Sequence, residues 1–149
     1  MSISYAKATT LVQDVLGSSR ELNDLGYSTA VRESTGETPT LPATFCVSLR
    51  PSPDRTLAIS FCYQREGNHY FIVEITNNLS PDSFLLDEWM KMRGECPEPF
   101  PWMLSSYHGT LRERLEGVVS FLVSQLTLPD IQDILRGQSW EHIPYDWGE

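Results

Sequence analysis

Apolar side chains between residues 110 and 126 recur at helical spacing. Leu111, Leu115, Val118, Val119, Leu122 and Leu126 lie four, three, one, three and four residues apart. That places them on one face of a 3.6-residue period, in a stripe wide enough to lie on a sheet. Thr110 with Glu113 three residues on reads as a capping box, so the start of the helix is written as well as its period. Leu128-Pro129 ends it, because proline disfavours helical geometry in the residue before it. Tyr5, Ala8, Val12, Val15 and Leu16 form a second stripe and predict an N-terminal helix over residues 3–16. Leu22 and Leu25 continue on a short turn before Gly26.

Three middle segments change to a period of two. Phe45, Val47 and Leu49 alternate with Cys46, Ser48 and Arg50. Leu57, Ile59, Phe61 and Tyr63 alternate with Ala58, Ser60 and Cys62. Phe71, Val73 and Ile75 alternate with Tyr70 and Ile72. Such alternation reads as strands over Phe45–Arg50, Thr56–Gln64 and His69–Thr76. The turn-rich residues 51–55 and 65–68 between them predict an antiparallel meander. The third strand is apolar on both sides, which marks it as a strand covered on both faces, by helix on one and by helix or a partner on the other. The polar stretch from Tyr27 to Ala43 reads as a loop with a short edge strand near Ser28–Arg32.

Ser80-Pro81-Asp82 carries the signature of a helix start, with Phe84, Leu85, Trp89 and Met92 as its apolar face and Gly94 as its stop. Pro97, Pro99 and Pro101 make the next segment a stiff connector to the central helix. A short last helix, Pro129 to Arg136, closes at Gly137. The expected fold is α+β in one domain spanning 1–149. It has an N-terminal helix, a three-stranded antiparallel meander with a possible fourth edge strand, and two to three C-terminal helices packed on the sheet.

Charge narrows the function classes. The net charge is −9, from 20 acidic residues against 11 basic ones. A basic face that would neutralise phosphates is missing, which argues against nucleic acid as a partner. No run approaches the roughly 20 apolar residues of a membrane span, and no signal peptide is recognisable at the start. The expectation is a cytoplasmic protein with no membrane partner. The acids concentrate in residues 79–100 and 130–149, whereas residues 41–78 and 101–129 are balanced.

The chemistry of known catalytic motifs is missing from the sequence. There is no GxGxxG, P-loop, GxSxG or HExxH, and no cofactor, metal or catalytic residue is assigned. His69, His108 and His142 lie far apart and read as surface or capping histidines. Cys46 and Cys62 fall in strands and read as small core hydrophobes. Cys96 lies between Glu95 and Glu98, which would raise a thiol's pKa and leave it an ordinary thiol. Paired acids such as Asp87/Glu88 and Glu113/Glu116 read as solvated helix charges.

The tail, residues 138–149, mixes aromatics with acids in the manner of interface surfaces. Trp140, Glu141, Tyr145, Asp146, Trp147 and Glu149 are therefore the candidate partner-binding residues, and the partner should be a basic protein. The competing account folds Trp140 and Trp147 back onto the core. The leading function is a non-enzymatic, acidic protein-binding module of the immunity, inhibitor or chaperone type. One alternative is a small enzyme or small-molecule-binding domain with a pocket near Cys96, Tyr107 and His108. Another is a structural subunit of a larger complex. The oligomeric state is not fixed by these patterns.

Overall fold

The computed structural model describes residues 3–25, 27–34, 43–64, 67–80, 82–94 and 99–143, with 27–34 described by backbone alone. Helices α1 (Tyr5–Gly17) and α2 (Arg20–Asp24) precede five strands: β1 (Tyr27–Ser34), β2 (Ala43–Ser52), β3 (Arg55–Tyr63), β4 (Tyr70–Asn77) and β5 (Asp82–Leu85). Then come α3 (Leu86–Met92), a 3-10 turn at Leu104–Ser106, α4 (Leu111–Leu126) and α5 (Pro129–Leu135). The strands form one antiparallel sheet in the order β1-β2-β3-β4-β5. This is the expected α+β meander with flanking helices. The edge strand predicted near Ser28–Arg32 is β1, and a fifth strand, β5, is added.

The core is the inward face of this sheet. Phe45, Phe61 and Phe71 lie in one cross-strand row, Val47, Ile59 and Val73 in the next, and Leu49, Leu57, Ile75 and Phe84 in a third. All ten are buried. Across them lie Ala8, Val12, Val15 and Leu16 of α1 and Leu115, Val118, Val119, Leu122 and Leu126 of α4, also buried. The α4 start has both halves of the capping box: Glu113 N–H donates to Thr110 Oγ1 at 3.2 Å, and Thr110 N–H donates to Glu113 Oε1 at 3.1 Å.

The connector after α3 is anchored rather than loose where it is described. Trp102 is fully buried and meets Phe121 edge-on at 5.6 Å. Its carbonyl accepts from Phe71 N–H at 2.9 Å, and Leu104 N–H donates to His69 O at 3.1 Å. The 100–104 stretch thus runs beside the start of β4 before the chain turns into α4. Tyr107 follows, its hydroxyl donating to Pro101 O at 2.9 Å, and its ring lies against Gly117. A Cβ at Gly117 would come within 2.6 Å of that ring. The glycine in mid-helix is therefore explained by a close approach, not by a bend.

Four sequence expectations are corrected. Ser80-Pro81-Asp82 does not start a helix. The stretch from Asp82 to Leu85 pairs with β4 from Glu74 to Asn77, and the helix starts at Leu86. Asn77 accounts for the change: its Oδ1 accepts from Leu79 N–H at 3.1 Å and its Nδ2 donates to Ser80 Oγ at 2.9 Å. Those bonds shape a hairpin turn that returns the chain to the sheet edge. Second, among the described residues helix cover of β4 is confined to one face: Ile72 is 39% exposed, although Phe71 and Val73 beside it are buried. Third, Asp87 is buried in the first turn of α3 rather than solvated. Desolvation raises its pKa, with Lys91 Nζ 3.8 Å away. Fourth, Cys46 is half-buried on the outward face of the sheet rather than in the core, while Cys62, on the same face, is buried as expected.

Two substitutions test this packing. Leu122→Ala should lower unfolding free energy by about 2–5 kcal/mol in denaturant titration, because it deletes a fully enclosed side chain. Gly117→Ala should also destabilise, by about 1–3 kcal/mol, although alanine is the better helix former by about 1 kcal/mol. A stabilised Gly117→Ala variant would show that Tyr107 yields without cost.

Candidate functional site: an acidic, tryptophan-lined cleft

The tail is held in place by a buried cation. Arg55, at the start of β3, is only 3% exposed. Its Nε donates to Ile134 O at 2.8 Å, near the end of α5. Nη1 donates to Asn77 Oδ1 at 2.9 Å and to Asp54 O at 3.1 Å, and Nη2 donates to Ser139 O at 3.0 Å. All four acceptors are neutral oxygens, and together they occupy the planar fork of donors on one guanidinium. Arg55 so fastens β3, β4, α5 and the first tail residues to one another. Gly137 lets the chain leave α5 toward this clamp with φ +79°, a conformation that costs other residues a steric penalty.

Trp140 is the next residue to dock. Its ring lies over the Arg55 guanidinium at 5.0 Å and against Phe84 at 5.2 Å. Its Nε1–H donates to Asp82 Oδ2 at 2.8 Å, and His142 Nδ1 lies 3.0 Å from the same oxygen. Asp82 is held below the ordinary carboxylate range, first by the Trp140 hydrogen bond and then by the one to His142. Ile143 is buried just beyond. The tail therefore folds along β5 as far as it is described. Of the six tail residues singled out from sequence, Trp140 and Glu141 are placed by the structure. Tyr145, Asp146, Trp147 and Glu149 lie outside the described residues.

Docking of the tail creates a cleft of about 320 Å³ between α3, α5 and residues 139–141. Trp89 and Ile134, both buried, form its floor, and half-buried Trp140 forms a wall. Asp130, Asp133 and Glu141 stand exposed around it. Arg93 is the one basic residue in the lining. It lies over the Trp89 ring at 4.5 Å and pairs with Asp130. The lining contains no histidine or cysteine. Among the described residues, no group of three or more His, Cys, Asp or Glu is placed to hold a metal ion. What the arrangement can do is attract and seat a cation against aromatic walls.

A second cavity, of about 360 Å³, opens between α2, α4 and α5. Leu22, Leu25, Val123, Leu126 and Leu135 line it, with Glu21, Asp24 and Arg136 among its polar residues. Neither cavity is lined by Tyr107 or His108. His108 is exposed and Tyr107 packs on α4, while Cys96 lies outside the described residues. His69 is buried rather than superficial. Gln64 N–H donates to its Nδ1 at 3.0 Å, it stacks on Tyr63 at 4.9 Å, and desolvation lowers its pKa. Burial raises the Cys62 thiol pKa, partly offset by a hydrogen bond with Tyr70, which is the opposite of an activated nucleophile.

No sequence pattern pointed to Arg55, Trp89 or Asp82 as site residues. Arg55 sits in a stretch that reads as turn, and its four acceptors come from residues as far as 84 positions away.

The Asp82 latch gives a pH test. A carboxyl with a lowered native pKa stabilises the fold above its unfolded pKa, and that contribution is lost as pH falls through the native value. The Trp140 fluorescence, isolated by subtracting the Trp140→Phe spectrum, should shift to the red only as pH falls below the ordinary carboxylate range, through the lowered native value. Asp82→Ala should give the same shift already at neutral pH. A Trp140 signal moved by neither would mean that the ring is held by packing alone.

Among the described residues no single helix is long and apolar enough to cross a membrane; α4 and α5 qualify only as a pair bent by 84°. Comparison of the chain with family models, with curated proteins and with solved structures finds no match, so the chemistry of the cleft is the ground on which function is argued.

Proposed function

We propose that this chain is a non-enzymatic protein-binding module of the inhibitor, immunity or chaperone kind, acting in the cytoplasm on a basic protein. One observation carries the reading: Asp130, Asp133 and Glu141 surround a cleft lined by Trp89 and Trp140, at the root of the acidic tail. Tryptophans supply large rigid contact area, and surrounding carboxylates steer a cationic partner into register. The net charge of −9 extends that attraction beyond contact distance. A basic side chain entering the cleft would meet Asp133 and Glu141 without having to displace Arg93 from Asp130. Tyr145, Asp146, Trp147 and Glu149 remain in the proposed partner-binding set on sequence grounds, as aromatics and acids.

The 360 Å³ cavity favours a second reading, a small apolar ligand, because five of its lining residues are leucine or valine. The two readings separate in one experiment. Immobilised full-length chain is exposed to native lysate at low and high salt, and a Asp133→Asn/Glu141→Gln variant is run beside it. Under the leading reading a basic protein is retained at low salt and released as the Debye length shrinks below about 8–10 Å. The double variant should bind it at least about tenfold more weakly with an unchanged melting temperature. Capture indifferent to both salt and the substitutions, or of no basic protein, would refute the leading reading.

A further inference from the structure

We propose that the uncovered face of the sheet is the contact surface of a two-fold symmetric dimer of this chain. The proposal is independent of the cleft, which lies on the helical side. Three observations lead to it.

The first is coverage. The helices pack on the inward rows, and on the outward ones Arg50, Ile72 and Ser83 are exposed among the described residues, Ile72 by 39% in mid-strand, while Cys62 at the end of β3 is buried. The second is charge. Of the outward positions on β2 to β5, only Arg50 and Glu74 are charged, and they have opposite sign. Two copies each carrying −9 repel over most of their surfaces, and this neutral face is where they can approach. A basic partner has no reason to choose it over the acidic side.

The third observation is shape. Outward residues on β2 are small or medium (Thr44, Cys46, Ser48), those on β3 include Ala58 and Ser60, and β4 presents Tyr70 and Ile72. A two-fold axis along β3, in the plane of contact, lays β2 of one copy over β4 of the other and keeps each row opposite its own number. Tyr70 and Ile72 of one copy then meet Thr44 and Cys46 of the second, twice over, while Ala58 and Ser60 allow close approach at the centre. Arg50, one step beyond Ser48, falls opposite Thr76 of the second copy and within side-chain reach of its Glu74. Such self-complementarity is what an isologous contact requires, and aligned sheet packing supplies the geometry. Fourteen outward positions on β2 to β5, each about 4.8 Å by 6.8 Å, give roughly 450 Å² per copy. That is below the standard size of specific interfaces, so a weak dimer is expected.

Sedimentation equilibrium of the full chain between about 1 and 300 μM tests the proposal. The wild type should pass from monomer to dimer, and association should strengthen with salt as repulsion between like-charged copies is screened. That is opposite to the salt response expected for a basic partner. Ile72→Lys should leave a monomer with an unchanged melting temperature. Arg50→Glu and Glu74→Arg should each weaken the dimer, and the two together should restore it, which tests the pairing even if Ile72→Lys folds poorly. A wild type that stays monomeric throughout overturns the proposal. So does a dimer that none of these substitutions weakens, since its interface would then lie elsewhere.

Discussion

The inward face of the meander has to be covered, and among the described residues helix covers that face alone. Phe45, Phe61, Phe71 and the rows beside them bury their side chains beneath α1 and α4, and most of the core follows from that layer. Each apolar side chain fully removed from water contributes about 1.5–3 kcal/mol, and this layer buries many of them. The same choice leaves the other face dependent on small and neutral residues. Thr44, Ser48, Ala58 and Ser60 suit a surface that is either wet or matched by another flat surface. One-sided cover therefore explains both why Leu122 is buried and why Ile72 is not.

The second organising element is electrostatic. Arg55 is a buried cation without a carboxylate partner in its hydrogen-bond set. Burying a charge is expensive, and the expense is offset here by four neutral oxygens and the face of Trp140. Because those acceptors come from separate elements, the guanidinium ties the end of α5 and the tail to the sheet. Trp140 can then reach Asp82 on β5, and the 320 Å³ cleft exists only because it does. The site is a consequence of tail docking more than of any single element.

Charge is distributed in step with this architecture. Residues 41–78 and 101–129 are balanced, and most of the acidic excess falls in residues 79–100 and 130–149. The cleft and the outward sheet face thus differ in charge: Asp130, Asp133 and Glu141 surround the first, and the second carries only Arg50 and Glu74, of opposite sign, on β2 to β5.

Hydrophobic period was enough to determine α1, α4, the strands β2 to β4 and the inward-facing residues of each. A side chain's face is set by its own position in a 3.6- or 2-residue repeat, and that information is local. The capping box at Thr110 and Glu113 is local for the same reason. The acidity that marks the candidate site was also legible, as were Trp140 and Glu141. Tertiary structure decided the rest. Ser80 to Leu85 carry helix signals, yet an unpaired β4 edge offered hydrogen bonds that a four-residue stretch could satisfy at once. The partners of Arg55, the burial of Asp87 and the roles of Trp89 and Asp82 depend on residues dozens of positions away, and no local period records them. Nor does a strand apolar on both sides say whether helix, solvent or a second copy covers its outer face, because that depends on where the helices of the whole chain settle.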